Sequence, residues 1–273
     1  MPLTLKLVQE SSIPLEVDSV QMDVVQQQSV EDVKATLIQR GNEQLPLGDF
    51  FDVSGGAKED ETIIWQGDCS KVKLIGTYLK SGTIRVEGNA GMHLGAEMTG
   101  GSIEVFGDAG DWVGAEIHGG RIHVHGNAGH LVGAAYRGAA KGMTGGEILI
   151  DGSAGNEIGQ SMRRGTIVIG GRSGDAPGYN MIAGSIFLFG EAGIRPGASM
   201  RRGTIAYFGL EEAPRMLPSF KYAGTFQPTF LRFYLLQLKE MGFDVPTVYL
   251  DSTYKRYRGD FLELGKGEIL VRC

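Results

Sequence analysis

GTIRVEGNAGMHLGAEMTG (residues 82–100) runs directly into GSIEVFGDAGDWVGAEIHG (residues 101–119), one 19-residue unit written twice. The register continues along the chain. Gly88, Gly107, Gly126, Gly152, Gly171, Gly190 and Gly209 keep a step of 19, broken by one interval of 26, which is 19 plus an insertion of seven. Three more columns hold the step, beginning Gly91, Gly110, Gly129, then Gly95, Gly114, Gly133, then Gly82, Gly101, Gly120. These columns account for most of the 43 glycines, a content about twice ordinary usage. An earlier, degenerate copy keeps Gly76 and Gly82 and places Cys69 and Val72 in the other two columns.

The apolar residues are columnar as well. Ile84/Val86, Ile103/Val105, Ile122/Val124, Ile148/Ile150, Ile167/Ile169, Ile186/Leu188 and Ile205/Tyr207 are i, i+2 pairs, which point to one face of a short strand. Leu94/Met98, Val113/Ile117, Val132/Tyr136, Ile158/Met162, Pro177/Met181 and Pro196/Met200 give a second inward wall. A unit this small cannot bury its own apolar face, whereas stacked copies pair strand over strand around one core.

The expected fold is therefore all-β with flanking α: a parallel β-helix of about seven coils over residues 63–210, a rod of about 30 Å at ~4.8 Å per coil. The columns opened by Gly88, Gly91 and Gly95 serve its corners, where φ is positive or no Cβ fits. Two rival readings fail. GNAGMHLG is not GxGxxG, does not join a strand to a helix and recurs in every copy, unlike a phosphate-cradling loop. The six-residue period of hexapeptide acyltransferases is absent.

Residues 1–62 read as an N-terminal α/β cap over the first coil, where open strand edges need cover. Leu3, Leu5 and Leu7 alternate as a strand, and Ser29 with Asp32 resembles a capping box opening a helix from Val30 to Gln39, stopped by Gly41. Residues 211–273 read as a helical tail. Its helix, Thr229 to Met241 with Gly242 at the stop, carries too many apolar residues for a single buried face. The outward strand positions change from Arg85, Glu104 and His123 to Leu149, Val168, Phe187 and Ala206. The C-terminal helix or a partner subunit is expected to cover that apolar strip, together with Phe189 in the neighbouring column.

A net charge of −6 provides no broad positive field for nucleic acid or an anionic membrane. The N-terminus lacks signal-peptide character, and no apolar run approaches the ~20 residues of a membrane span. Two cysteines, Cys69 and Cys273, give no disulfide framework, so a reducing cytoplasm is expected.

Chemistry is sparse. His123 and His125 share an outward face, but no column supplies an evident third ligand, so no metal site is expected. Glu97 and Glu116 read as a solvated edge, and Cys69, at a corner position, as no nucleophile. No catalytic or cofactor-binding residue is expected. The sharper signal is MRRGTI, at residues 162–167 and 200–205. An offset of two coils places Arg163, Arg164, Arg201 and Arg202 along one edge about 10 Å apart, a geometry suited to carboxylates. The insertion adds Arg137 and Lys141 in a glycine-rich loop fit for partner contact.

The repeated G-x-x-G-x-x-x-G with GGxIxVxGxAG resembles the GXGXG domain shared by the C-terminal region of glutamate synthase and the C subunit of formylmethanofuran dehydrogenase. LPLGDFFDVSG, the two MRRGTI units and YKRYRGDFLELGKGEIL look like the C subunit. That resemblance implies a right-handed β-helix and a non-catalytic scaffold in a one-carbon complex, in one of two settings. One is an aerobic formyltransferase/hydrolase complex that takes formyl-tetrahydromethanopterin through a methanofuran-type carrier to formate. The other is a tungsten or molybdenum dehydrogenase. Modest Lys, Glu and Ile content and the run Gln26–Gln28 favour the first, and a free-standing structural or binding β-helix is the third reading. In the aerobic setting the implied partners are a formyltransferase subunit, an amidohydrolase-like subunit and a B-type subunit. The chain alone binds no cofactor, and a polyglutamate arm on the carrier would suit the arginine edge.

Overall fold

The computed structural model of the protein describes residues 1–209 and 214–273. The chain is mostly β with few helices. In the N-terminal part, β1 (Leu3–Leu7), β2 (Leu15–Glu16), α1 (Met22–Val25), α2 (Val30–Ala35), β3 (Leu37–Arg40), β4 (Glu43–Pro46) and β5 (Phe51–Ser54) come first. The repeat contributes β6 (Thr62–Gln66), β7 (Val72–Lys73), β8 (Thr83–Glu87), β9 (Ser102–Val105), β10 (Arg121–Val124), β11 (Glu147–Ile150), β12 (Thr166–Ile169), β13 (Ser185–Leu188) and β14 (Arg202–Tyr207). β15 (Lys221–Phe226), α3 (Thr229–Glu240), β16 (Tyr254–Gly259) and β17 (Lys266–Arg272) complete it.

One 13-stranded sheet, ordered β15-β16-β17-β14-β13-β12-β11-β10-β9-β8-β6-β1-β5, runs through all three parts of the chain. From β8 to β14 each strand pairs in parallel with the next copy, Ile84 on Ile103, Ile103 on Ile122, Ile122 on Ile148 and onward to Ile205. A second wall repeats the step: Gly114 N donates to Leu94 O, Gly133 N to Val113 O and Gly178 N to Ile158 O, each at 2.8 Å. Isolated parallel bridges Ala90–Ala109–Ala128 and Ala154–Ser173–Ala192 form a third line. The paired Ile, Val and Leu side chains of the strands point between these walls and are fully buried. Both ends are closed by pairing. β1 lies parallel on β6, with Thr4 on Ile64, and β17 lies parallel on β14, with Thr204 on Glu268.

Glycine enters for two separable reasons. Gly95 has φ +61°, and a Cβ there would meet Ile122 Cδ1 at 2.5 Å. Gly91 lacks that φ, but a Cβ would lie 2.4 Å from the carbonyl oxygen of Val72 in the coil below.

Four details differ from the sequence reading. α2 opens on the Ser29/Asp32 capping box but stops at Ala35. Leu37–Arg40 is drawn instead into a hairpin with β4, and Gly41, φ +62°, turns that hairpin rather than stopping the helix. Tyr136 does not face the core. The insertion begins there, and Met143, fully buried, takes the inward position, held by Met143 N donating to Gly133 O at 2.9 Å. Cys69 is not in a corner-glycine column: Thr62 pairs with Thr83, a step of 21, so Cys69 bridges Ala90 in the small-residue line. Finally, α3 buries one stripe, Leu231, Leu235 and Leu238, and leaves Phe233 69% exposed.

The stripe on α3 has a clear counterpart. Leu149, Val168, Phe187, Ala206 and Leu270 on the outer sheet face form a second core with it, and Phe187 is fully buried there. The sheet offers only this strip, so the opposite side of α3 has nothing to pack on among the described residues. The expected boundary between residues 210 and 211 lies outside the described residues. No helix is long and apolar enough to cross a membrane among those described.

Candidate functional site

The two MRRGTI segments put Met162 and Met200 into the core and turn their arginines out to solvent. Arg163 N donates to Met143 O and Arg201 N to Met181 O, both at 2.8 Å, so the segments occupy one edge with Ile182 and Ala183 in the coil between. Of the four arginines, only Arg201 forms an ion pair among the described residues, 3.6 Å from Glu263. Arg137 and Lys141 are exposed on the insertion. The loop rejoins the stack where Gly142 N donates to Ser161 O at 3.0 Å, so Lys141 enters beside the backbone that carries Arg163.

On another side of the stack lies a cluster that the periodicity did not reveal. His93 and Trp112 occupy equivalent corners in successive coils, both with φ near +64° (+63° and +65°). The left-handed backbone turns their rings outward. Tyr136, freed from the core by the insertion, stacks on Trp112 at 5.1 Å, and its hydroxyl lies 2.9 Å from His93 Nδ1. Glu116 Oε1 accepts from Tyr136 N at 2.8 Å and Glu97 Oε1 from the Tyr78 hydroxyl at 3.2 Å. The two carboxylates read as a solvated edge are thus anchored acceptors. Burial, and then the charges of Glu97 and Glu116, push the Tyr136 phenol up to about 12.

The outer sheet face holds the second cluster. His123 Nε2 is 2.8 Å from Asp151 Oδ1, and His125 Nδ1 is 2.7 Å from Asp151 Oδ2. His125 Nε2 is in turn 3.2 Å from Glu104 Oε1. Burial opposes the charged imidazole of His125, but the hydrogen bonds it donates to Asp151 and Glu104 outweigh it and hold its pKa above the usual value. Burial likewise works against the Asp151 carboxylate, and the two histidines hold it below its ordinary range. Asp151 follows His125 in the same outward column, one coil on, and sets a carboxylate against both imidazoles. The contact to His123 was hidden because it runs diagonally, from one outward column to the next.

Cys69 has no such activation, because burial and the neighbouring Asp68 push its thiol up to about 12. Two grooves flank α3. One, about 570 Å³, is lined by Arg121, Glu147 and Gln237 among others, but Arg121 Nε and Gln237 Nε2 both already serve Glu147, at 3.1 and 2.9 Å. The other, about 430 Å³, is walled by Phe189, Phe243 and Tyr249 and shares Asp151 with the histidine cluster.

The family model for the GXGXG motif matches residues 70–216, more than half of the chain. The chain belongs to the GXGXG family. Within it, an 83-residue segment is 44% identical to the C subunit of the molybdenum-containing formylmethanofuran dehydrogenase 1 of Methanothermobacter marburgensis, covering 30% of this chain and 21% of that protein. A 91-residue segment is 42% identical to the C subunit of the tungsten-containing formylmethanofuran dehydrogenase 2 of Methanothermobacter wolfeii, covering 32% and 34%. The matched segments span only about a fifth to a third of those curated relatives. The likeness to a solved structure runs further. A chain of the formyltransferase/hydrolase complex from Methylorubrum extorquens, crystallised with methylofuran, superposes with TM-score 0.91 at 32% identity over 99% of both chains. The GXGXG repeat and both flanking segments are therefore shared with that chain.

Proposed function

We propose that this GXGXG chain is a structural scaffold subunit of a formyltransferase/hydrolase complex in one-carbon metabolism. The complex carries formyl groups from tetrahydromethanopterin through a methanofuran-type carrier to formate. The observation that carries the reading is the correspondence over 99% of both chains with a member of such a complex. In this reading residues 63–210 wind as a right-handed parallel β-helix, residues 1–62 cap it and residues 211–273 form its tail. The partners are a formyltransferase subunit, an amidohydrolase-like subunit and a B-type subunit in a cytoplasmic assembly that needs neither nucleic acid nor membrane.

The surface supports a buried role within an assembly. Phe233 is 69% exposed on α3, and Phe261, Leu262 and Leu264 are exposed close together in sequence in the tail, apolar side chains that a partner subunit would cover. The arginines of this edge that form no ion pair among the described residues offer a path for an acidic carrier arm. Charge-assisted, bidentate contacts from Arg163, Arg164 and Arg202 would hold glutamate carboxylates while the chemistry proceeds on other subunits.

The local identity to the C subunits of the dehydrogenases favours a second setting, the tungsten or molybdenum enzyme. Purification of the tagged chain at native expression separates the two. Stoichiometric recovery of a formyltransferase and an amidohydrolase-like subunit is expected. A metal-pterin subunit in their place would establish the dehydrogenase, and a lone chain would overturn the scaffold reading.

A further inference from the structure

The cluster of His123, His125 and Asp151 sits where the bare early coils meet the coils covered by α3, and nothing in the scaffold role calls for it. Its ligand atoms all lie within 4.8 Å of one another. His123 lies on β10 and His125 just past its end; the i, i+2 spacing brings the two imidazoles side by side, centroids 4.2 Å apart, and the next coil delivers the carboxylate between them. A solvated pair of surface histidines does not look like this: the His123 side chain is only 12% exposed, and each ring shares the same carboxylate.

From this geometry we infer that His123 Nε2, His125 Nδ1 and an Asp151 carboxylate oxygen form a binding site for one divalent transition-metal ion of the zinc class. Two neutral imidazoles and one carboxylate match the donor preferences of Zn²⁺, which takes nitrogen and oxygen ligands at about 2.0–2.2 Å. Tetrahedral ligands at about 2.0–2.2 Å from the ion stand about 3.3–3.6 Å apart, so Asp151, now 2.7–2.8 Å from the rings, moves back by roughly half an ångström or more to admit it. Glu104 completes the arrangement. It sits 3.2 Å from His125 Nε2, the nitrogen a metal would leave free, and so fixes the ring with Nδ1 toward the ion, as outer carboxylates do in histidine metal sites. Arg85 Nε stands 3.8 Å from the other Glu104 oxygen, near enough for charge attraction though not for a hydrogen bond. Three protein ligands leave a coordination position for water or for a group from outside the chain, and Asp151 also borders the groove walled by Phe189, Phe243 and Tyr249.

The test uses the full-length chain without a polyhistidine tag, in a Cys273→Ser background, stripped with a chelator and titrated with Zn²⁺ against a chromophoric zinc indicator. One equivalent should bind. Asp151→Asn, which keeps the side-chain shape, should abolish that equivalent, and Glu104→Gln should weaken it about 10-fold or more. His118→Ala and His130→Ala, outside the cluster, should leave it intact. Circular dichroism checks each fold, and His123→Gln replaces Asp151→Asn if that variant does not fold. No stoichiometric zinc, or uptake equal in wild type and Asp151→Asn, would overturn the site, as would loss of uptake on replacing His118 or His130 alone.

Discussion

The Tyr136 hydroxyl lies 2.9 Å from His93 Nδ1 although the residues are 43 positions apart. The contact exists because the seven-residue insertion lifts Tyr136 off the inner wall and lays it over the corner residues of earlier coils. His93 is held below its usual pKa, first by burial and then by Lys73, with Glu16 and Asp111 opposing. A neutral native ring therefore meets an unfolded chain that protonates near the ordinary value of about 6.5. Between the lowered native value and that point the unfolded state binds more protons, so this contribution is full above about pH 6.5 and is lost as pH falls. His93→Gln should flatten the acid limb of Tm against pH, and Tyr136→Phe should cost about 1 kcal/mol at neutral pH for the lost hydrogen bond. Thermal melts across about pH 5 to 8 read both effects, and an acid limb unchanged in His93→Gln would refute the assignment.

Glycine columns make a second prediction, because the two causes of glycine use respond differently. At Gly91 the obstacle is a backbone carbonyl 2.4 Å from the new Cβ, which cannot rotate away. Gly91→Ala should therefore separate two coils and cost about 1–3 kcal/mol, as overpacking does. Gly56 has open space and no positive φ, so Gly56→Ala should leave stability unchanged or raise it by up to about 1 kcal/mol. Urea midpoints compare the pair, and equal effects would mean that the coil spacing is slack.

What the sequence made legible follows from stacking. Strict columns such as Ile103–Ile122–Ile148 reveal which residues share a wall, since each strand repeats the contacts of the one below. The strip from Leu149 to Phe187 was legible for the same reason, as an outward column that turns apolar where α3 lies. Columns fail where the period slips. The step of 21 between β6 and β8 moved Cys69 out of the glycine register, and the insertion hid the exchange of Tyr136 for Met143. They also fail for contacts running diagonally, which is how Asp151 reaches His123 in another column. At α2 the strand pairing of Leu37–Arg40 overrode a helical pattern too short to hold by itself.

The strip beneath α3 supplies a third prediction. Phe187 is fully buried and meets Tyr234 edge-on at 5.2 Å and Phe208 at 5.9 Å. Phe187→Ala removes the central side chain of this outer core while leaving the inner wall of Ile186 and Leu188 untouched. A cost of about 3–5 kcal/mol is expected, expressed first as release of α3. Hydrogen exchange should show residues 229–240 losing protection well before β11–β13, because the outer and inner cores are separate clusters. Simultaneous loss of protection would mean that α3 and the coils unfold as one unit.

The arginine edge decides how the proposed scaffold takes part in turnover. Arg201 is tied to Glu263 at 3.6 Å, so within the MRRGTI segments the exposed charge open to an acidic partner comes from Arg163, Arg164 and Arg202. Exposed charges steer and orient more than they bind, and salt weakens them. Replacing Arg163, Arg164, Arg201 and Arg202 by Gln should therefore slow turnover of the intact complex severalfold at low salt, with a smaller difference at high salt, while the subunits remain together on size exclusion. If the edge is instead a subunit interface, the same variant should dissociate, because removing one side of a buried ion pair strands its partner. Unchanged turnover and unchanged assembly at low salt would show that the edge is only a solvated surface.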